Sequence, residues 1–363
     1  MKKIVFGITS LRPGGAERVL IDIVNHFKND YDITIFSIYG DGEFEKQLDE
    51  KIHFQSLYPH TYDSYPKWKK IWFSLQFVLP FFRHHIYKKY IKNQYDLEIS
   101  FLEGPITWLM SSNSKTMKYA WIHNDLVCVY GNHYMKRKLS EHAYQKYHKL
   151  IFVSQDNLQK FEQIFPHNQI PKQVIYNYID EHVVTEKANA FTVTEIKRDL
   201  PNFLQVSRLT EQKAVLRLLE VHRQLIQNKV LHRIYMIGDG PLRTELQQKI
   251  HEYGLEDTFV LLGQKENPYP YIKHADTFLL ASYYEGYPMV LLEAKVLNKD
   301  ILITDSAAKE VLVNYDKGMI VENTEKGIME GIEKMIEKKD GAKVTQSFSN
   351  ASILEELKEL LGE

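Results

Sequence analysis

The sequence predicts an α/β protein of two doubly wound domains, and three observations carry that prediction. Its 363 residues exceed the roughly 250–300 at which one hydrophobic core stops growing. Short apolar runs of strand length alternate along the chain with segments of helical periodicity. The loops after those runs carry glycine or charge, as expected where ligands meet the carboxyl ends of parallel strands.

Composition narrows the class further. With 44% hydrophobic and 26% charged residues and a formal net charge of -1, the chain reads as globular, and no basic excess points to nucleic acid. The lone Cys128 excludes an internal disulfide framework and any multi-cysteine metal site, which fits a reducing cytoplasm. The start, Met1-Lys-Lys-Ile-Val-Phe-Gly-Ile8, reads as a strand rather than a secretory leader. The most membrane-like stretch, 71–82, contains Pro80 and is shorter than the roughly 20 residues of a span.

Lys3–Ile8 is the first strand, and Thr9-Ser-Leu-Arg-Pro-Gly-Gly15 leads from it into a helix whose Ala16, Val19, Leu20, Ile23, Val24 and Phe27 keep helical spacing. Residues 33–38 form the next strand. Gly14 and Gly15 let a backbone or ligand approach the helix start; the spacing is not G-x-G-x-x-G, and a plain tight turn is the alternative. Residues 64–95 interleave lysines and Arg83 with Trp68, Trp72, Phe73, Phe77, Phe81 and Phe82, and no acid occurs between Asp63 and Asp96. That mixture predicts an interfacial helix lying on anionic lipid, against the alternative of a core helix with a solvated face. Strands at 97–101, 118–122, 150–154 and 173–176 complete a first domain near residue 180. His123, in Trp121-Ile-His-Asn-Asp125, follows a strand end and so lies on the ligand side. His123, Cys128 and His133 match no zinc spacing, and no metal site is expected there.

Residues 181–200 lose the apolar pattern and are expected to form a linker. Strand Asn202–Val206 is followed by Ser207-Arg-Leu-Thr-Glu-Gln-Lys213 and a helix with Val215, Leu218, Leu219, Leu225 and Ile226 on one face. Arg208 and Lys213, at a strand-to-helix loop, form a cationic clamp for a diphosphate; either alone is an ordinary surface charge. Strand 232–237 ends in Gly238-Asp-Gly-Pro-Leu-Arg243, with a helix expected from Pro241. Strand 258–262, the loop Gly263-Gln-Lys-Glu-Asn267 and a short helix around Tyr271 precede strand Thr277–Leu280. Strand Asp300–Thr304 and helices at 324–338 and 353–361 finish the chain.

The most informative stretch is Glu285-Gly-Tyr-Pro-Met-Val-Leu-Leu-Glu293. Pro288 reads as the first residue of a helix. A ligand then meets Glu285 at the strand end, N–H groups of Tyr287, Met289 and Val290 at a helix N-terminus, and Glu293 one turn further in. Helix N-termini attract phosphate, whereas a carboxylate repels it. The acids therefore address hydroxyls and the backbone addresses phosphate, which fits a sugar nucleotide. For either acid alone, a solvated helix-end charge is the alternative.

Taken in order, Gly14-Gly-Ala-Glu17, Trp121-Ile-His123, Val153-Ser154, Ile175-Tyr-Asn177, Ser207-Arg-Leu209 with Lys213, Gly238-Asp-Gly240 and the 285–293 stretch make the chain resemble the retaining glycosyltransferases of family 4, of the bacterial cell-surface polysaccharide type. The resemblance implies the GT-B fold, in which two Rossmann-like domains face each other across a cleft. It implies an acceptor-binding domain over 1–180, a nucleotide-sugar domain over 181–345, and a last segment, 346–363, that crosses back onto the N-terminal domain. By motif position, Arg208 and Lys213 hold the donor diphosphate, Glu293 the ribose hydroxyls and Glu285 the donor sugar. Gly286, Tyr287, Pro288, Met289 and Val290 lie near sugar and phosphates. Gly240 belongs to a loop that reads the donor, His123 reaches the sugar, and Gly14 and Gly15 shape the floor beneath the diphosphate. Two departures stand out: Ala214, where a glycine usually follows the lysine, and Asp305-Ser-Ala-Ala308, which lacks the glycines often found before Glu310.

The implied reaction moves a hexose or N-acetylhexosamine from a nucleoside diphosphate sugar, with UDP expected, to a lipid-linked or growing saccharide. No cofactor or metal is expected, because cations and helix N–H donors can meet the charge on the departing diphosphate. Asp30-Tyr-Asp32 matches an Asp-x-Asp metal motif literally but precedes a strand instead of following one. The expected partners are the donor, the acceptor and an anionic membrane surface through 64–95, with no nucleic acid; the expected location is cytoplasmic, peripheral on the inner face of the membrane. The rival readings are a sugar-nucleotide epimerase of the same fold and a non-catalytic nucleotide- or polysaccharide-binding relative.

Overall fold

The structure, a computed structural model, describes residues 1–113, 115–131, 133–338 and 349–363. They form two compact units, Met1–Tyr178 with Asn350–Glu363, and Ile179–Ser349. The boundary expected at 345/346 lies outside the described residues.

In the first unit β1 (Lys3–Ile8), α1 (Gly15–His26), β2 (Asp32–Tyr39) and β3 (His53–Tyr58) are followed by α2 (Lys67–Val78), α3 (Pro80–Tyr90), β4 (Leu97–Ser100) and α4 (Pro105–Met110). Then come β5 (Met117–Ile122), α5 (Leu126–Tyr130), α6 (Tyr134–Tyr144), β6 (Lys149–Phe152), α7 (Gln155–Ile164) and β7 (Lys172–Val174). The strands make a parallel seven-stranded sheet in the order β3-β2-β1-β4-β5-β6-β7. Central strands such as Ile4-Val-Phe6 are apolar throughout because helices cover both faces of a parallel sheet. The edge strand β3 is half-buried and has no apolar run to announce it.

The single interfacial helix expected over 64–95 is two helices. Leu79 is extended, with ψ 120°, because the residue before a proline avoids the helical region; Pro80 then opens α3. Phe73, Phe77, Ile86 and Tyr87 enter the core, while Trp68, Ile71, Trp72, Leu75 and Phe81 stay exposed, Phe81 at 77%. The core behind them contains a charged pair the sequence did not announce. Lys118 on β5 places Nζ 3.2 Å from Oε2 of Glu98 on β4, and both side chains are buried. Tyr87 donates its hydroxyl to Glu98 at 2.9 Å, and Lys118 donates to the carbonyl of Met110 at 2.8 Å.

The second unit runs α8 (Glu181–Ala188), β8 (Asn202–Val206), α9 (Val215–Gln227), β9 (Arg233–Ile237), α10 (Arg243–Tyr253), β10 (Phe259–Gly263) and α11 (Tyr269–His274). It continues with β11 (Thr277–Leu280), α12 (Met289–Val296), β12 (Asp300–Thr304), β13 (Gly318–Val321) and α13 (Glu325–Glu337), and the sheet order is β10-β9-β8-β11-β12-β13, all parallel. The stretch expected as a linker contains α8: Asp180 caps it by accepting from the N–H groups of His182 and Val183, and Val184 and Ala188 are buried. The helix expected from Pro241 starts at Arg243, because the N–H of Leu242 is drawn aside to the carbonyl of Leu209 at 3.1 Å. The last helix, α14 (Ala351–Gly362), belongs to the first unit, where Glu363 accepts from the Tyr119 hydroxyl at 2.7 Å and from Lys149 at 2.6 Å.

His222 on α9 and His232 are buried in mutual contact, Nδ1 to Nε2 at 2.9 Å, with Thr258 Oγ1 2.9 Å from His222 and the Val230 carbonyl 2.9 Å from His232. Burial pushes His222 down to about 2 and lowers His232 as well. Both are neutral when folded, whereas the unfolded chain takes up protons below about pH 6.5. Their stabilisation is therefore present above that pH and lost as pH falls through it. His222 alone is expected to remove roughly 2 kcal/mol of stability by about pH 5. Denaturant unfolding followed at about pH 7.5 and pH 5 checks this, and equal midpoints contradict it.

Candidate active site

In each sheet the strand order reverses at one point, between β1 and β4 in the first unit and between β8 and β11 in the second. Loops leaving such neighbouring strands diverge, and ligands bind beyond the carboxyl ends there. In the second unit the two loops are 207–214 and 281–288, so the topology itself brings the Arg208, Lys213 and Glu285 segments to one place. Gln205 on β8 ties them together, donating to the carbonyl of Lys213 at 3.2 Å and accepting from the N–H of Ala281 at 3.4 Å.

Lys213 closes a short 3-10 turn, Glu211–Lys213, and its Nζ lies 2.5 Å from Oε1 of Glu285, which is 5% exposed. Ala214 then takes φ 52°, ψ 35°, the left-handed conformation in which a glycine is at ease. The alanine carries a strain of roughly 1–2 kcal/mol there, yet the turn still delivers the lysine. Arg208 is exposed at the head of the same loop, and its guanidinium has no partner among the described residues. The loop is seated on the second glycine turn: Leu209 N–H donates to the Asp239 carbonyl at 2.9 Å. A Cβ on Gly240 would lie 2.4 Å from the Leu209 carbonyl oxygen, and one on Gly238 2.0 Å from that of Ser207. These glycines let two backbones touch.

After β11 the chain turns through Gly286 and Tyr287, both half-buried, into α12. Pro288 is the cap of that helix and not its first residue: the ring fixes φ at -73°, but ψ is 125° and extended. Met289 and Val290 thus open the helix, where N–H groups have no intrahelical acceptor. Glu293, one turn inside, is buried and accepts from the Tyr269 hydroxyl at 3.2 Å.

The remaining expected site residues lie in the first unit. Gly14 caps α1 in an extended conformation and Gly15 is its first residue. His123 follows β5, stacked with Trp121 at 6.1 Å between ring centres and tilted against Phe101 at 4.7 Å. Burial pushes its imidazole down to about 3, and its Nε2 has no hydrogen-bond partner among the described residues. Glu103, just past β4, accepts from the N–H of Asn124 at 2.5 Å and that of His123 at 3.4 Å. Sequence reasoning missed Glu103, Gln205 and Tyr269. The signal for Glu103 was its place before Gly104-Pro105 at a strand end. Asp32 opens β2 at the amino end of the sheet, opposite to the strand ends where ligands bind. Among the described residues no group of three or more His, Cys, Asp or Glu is placed to hold a metal ion.

Two parallel α/β units with this strand order are the architecture of the GT-B glycosyltransferases. The whole chain superimposes on the whole of Anabaena Alr3699/HepE, crystallised with UDP and glucose, at TM-score 0.77 and 20% identity. Residues 186–353 match the family model for glycosyl transferases group 1. The second unit is a domain of that group, and the chain as a whole has the GT-B fold and is similar to family 4-like glycosyltransferases. It is 27% identical over 354 residues, 93% of this chain and 91% of the relative, to the N-acetylgalactosamine-N,N'-diacetylbacillosaminyl-diphospho-undecaprenol 4-alpha-N-acetylgalactosaminyltransferase of Campylobacter jejuni. It is 25% identical, over 85% of this chain and 82% of the relative, to the amylovoran biosynthesis glycosyltransferase AmsD of Erwinia amylovora.

Proposed function

We propose that the chain transfers a hexose or N-acetylhexosamine from a UDP-sugar to a lipid-linked saccharide, with retention of anomeric configuration and without a metal ion. The observation that carries this reading is Lys213 held 2.5 Å from buried Glu285 in the loop that opens α12. UDP is favoured by its presence in the HepE complex, and a diphospho-undecaprenol acceptor by the name of the Campylobacter relative.

In the proposed reaction the bond between the anomeric carbon and the β-phosphate oxygen breaks, and its electron pair leaves with the diphosphate. Lys213 and the N–H groups of Met289 and Val290, preorganised and without solvent rearrangement, stabilise that charge together with Arg208. Glu285 keeps the Lys213 ammonium in position and addresses a sugar hydroxyl, while Glu293 accepts from the ribose. The acceptor oxygen bonds the anomeric carbon on the face the phosphate leaves, and the departing phosphate takes its proton. His123, in the first unit, is neutral because it is buried, and its Nε2 has no hydrogen-bond partner among the described residues. Glu293→Ala is expected to weaken UDP binding about 10-fold or more, the loss of a charged hydrogen bond. Titration calorimetry with UDP checks this, and unchanged affinity removes the ribose role.

No helix among the described residues is long and apolar enough to cross a membrane. The proposed membrane contact is peripheral, through the exposed Trp68, Trp72 and Phe81 with Lys67, Lys69, Lys88 and Lys89 around them. Sedimentation with anionic liposomes is expected at low salt and is expected to weaken as salt rises; no binding at low salt ends the proposal. The reaction is tested by incubating the protein with UDP-sugars and a diphospho-undecaprenol-linked saccharide in EDTA. A lipid-linked product one sugar longer supports the reading. Sugar released without acceptor points to the epimerase, and no turnover of any donor overturns it.

A further inference from the structure

The loop 281–285 has no regular structure, yet each of its first four carbonyls is held by a side chain from elsewhere in the second unit. The Ala281 carbonyl accepts from Nη2 of Arg217 at 2.5 Å, and that of Ser282 from Thr304 Oγ1 at 2.7 Å. The Tyr283 carbonyl accepts from Nδ2 of Asn323 at 2.8 Å, and that of Tyr284 from Nε2 of Gln212 at 3.1 Å. The guanidinium of Arg217 also lies 4.1 Å from the centre of the Tyr283 ring, and its Nη1 donates to the Asn323 carbonyl at 3.3 Å. One planar cation on α9 thus bridges the loop after β11 and the loop before α13, which a single ammonium lacks the geometry to do. Loops tied down this way hold a fixed conformation, and a displacement of about 1 Å in a catalytic group costs rate steeply.

We infer that Arg217, with Asn323, is a positioning residue for the transfer reaction, holding the Glu285 loop so that its carboxylate stays against Lys213. The inference rests on the role proposed for Glu285. Arg217 touches neither donor nor acceptor in this scheme. It acts through the backbone of 281–284, and its removal lowers turnover more than donor binding.

The test is a double-mutant cycle on the full chain, read as kcat and as UDP affinity. Arg217→Ala is expected to lower kcat about 10-fold or more while UDP affinity changes less than about threefold. In a Glu285→Gln background the same change is expected to lower kcat by less than about twofold, because the loop then has nothing left to present. Arg217→Lys keeps the charge without the bridge; it is expected to follow the alanine variant in kcat and to melt within a few degrees of the parent, so it serves if Arg217→Ala does not fold. Losses that multiply across the cycle overturn the inference, as does a kcat within twofold of the parent for either Arg217 variant. Full activity of Glu285→Gln overturns instead the role of Glu285 on which the inference rests.

Discussion

Replacing Lys213 by alanine is expected to lower sugar transfer 100-fold or more, about 3 kcal/mol of transition-state stabilisation. The fold fixes this ammonium from both ends. The 3-10 turn and left-handed Ala214 set its backbone, and Glu285 holds its tip at 2.5 Å. A cation held before the reaction begins needs no reorganisation as the diphosphate gains charge. Arg208→Ala is expected to cost a comparable factor, since its guanidinium is unengaged among the described residues and so available to phosphate. Initial rates at saturating donor measure both. Near-normal turnover in the two variants removes the clamp from the mechanism.

The second large effect is on stability and lies in the first unit. Lys118→Met leaves Glu98 buried at 0% exposure with no counter-charge, and unfolding is expected to become about 3–5 kcal/mol easier. Burial pushes the Glu98 carboxyl up and the Lys118 ammonium down, and in each case the partner opposes the shift. The pair therefore survives by mutual support, not because either charge is comfortable there. The double variant Glu98→Leu with Lys118→Met is expected to recover most of the loss, because a packed apolar pair avoids the desolvation both ions suffer. Melting temperatures of the three proteins decide the matter. A single variant as stable as the parent contradicts it.

Much of the fold was legible because parallel strands buried on two faces must be apolar throughout, and their connecting helices must be amphipathic. β1, β4, β5, β8, β11 and β12 announced themselves in this way. β3 and β13 did not: they are sheet edges, half-exposed, and only pairing to a neighbour makes them strands. The helix inside 181–200 was hidden for a related reason, since α8 buries little more than Val184 and Ala188 and is held by its Asp180 cap. Pro80 was visible, but its division of one basic aromatic segment into two helices emerged only with the extended Leu79.

The candidate site divides along the same line. Sequence alone determined which residues stand at strand ends, because a strand followed by glycine or charge fixes Arg208, Lys213, Glu285 and His123 on the carboxyl side of their sheets. It also determined that α12 begins near Pro288, from proline chemistry alone. Tertiary structure decided that strand order reverses between β8 and β11, and hence that Lys213 meets Glu285 across 72 positions of chain. It likewise decided that Gln205, Arg217 and Asn323 hold the loops of that pair and that Tyr269 meets Glu293. Periodicity reports which face of an element is buried, but the partner across a hydrogen bond depends on which strands become neighbours, and that is settled only when the whole sheet closes.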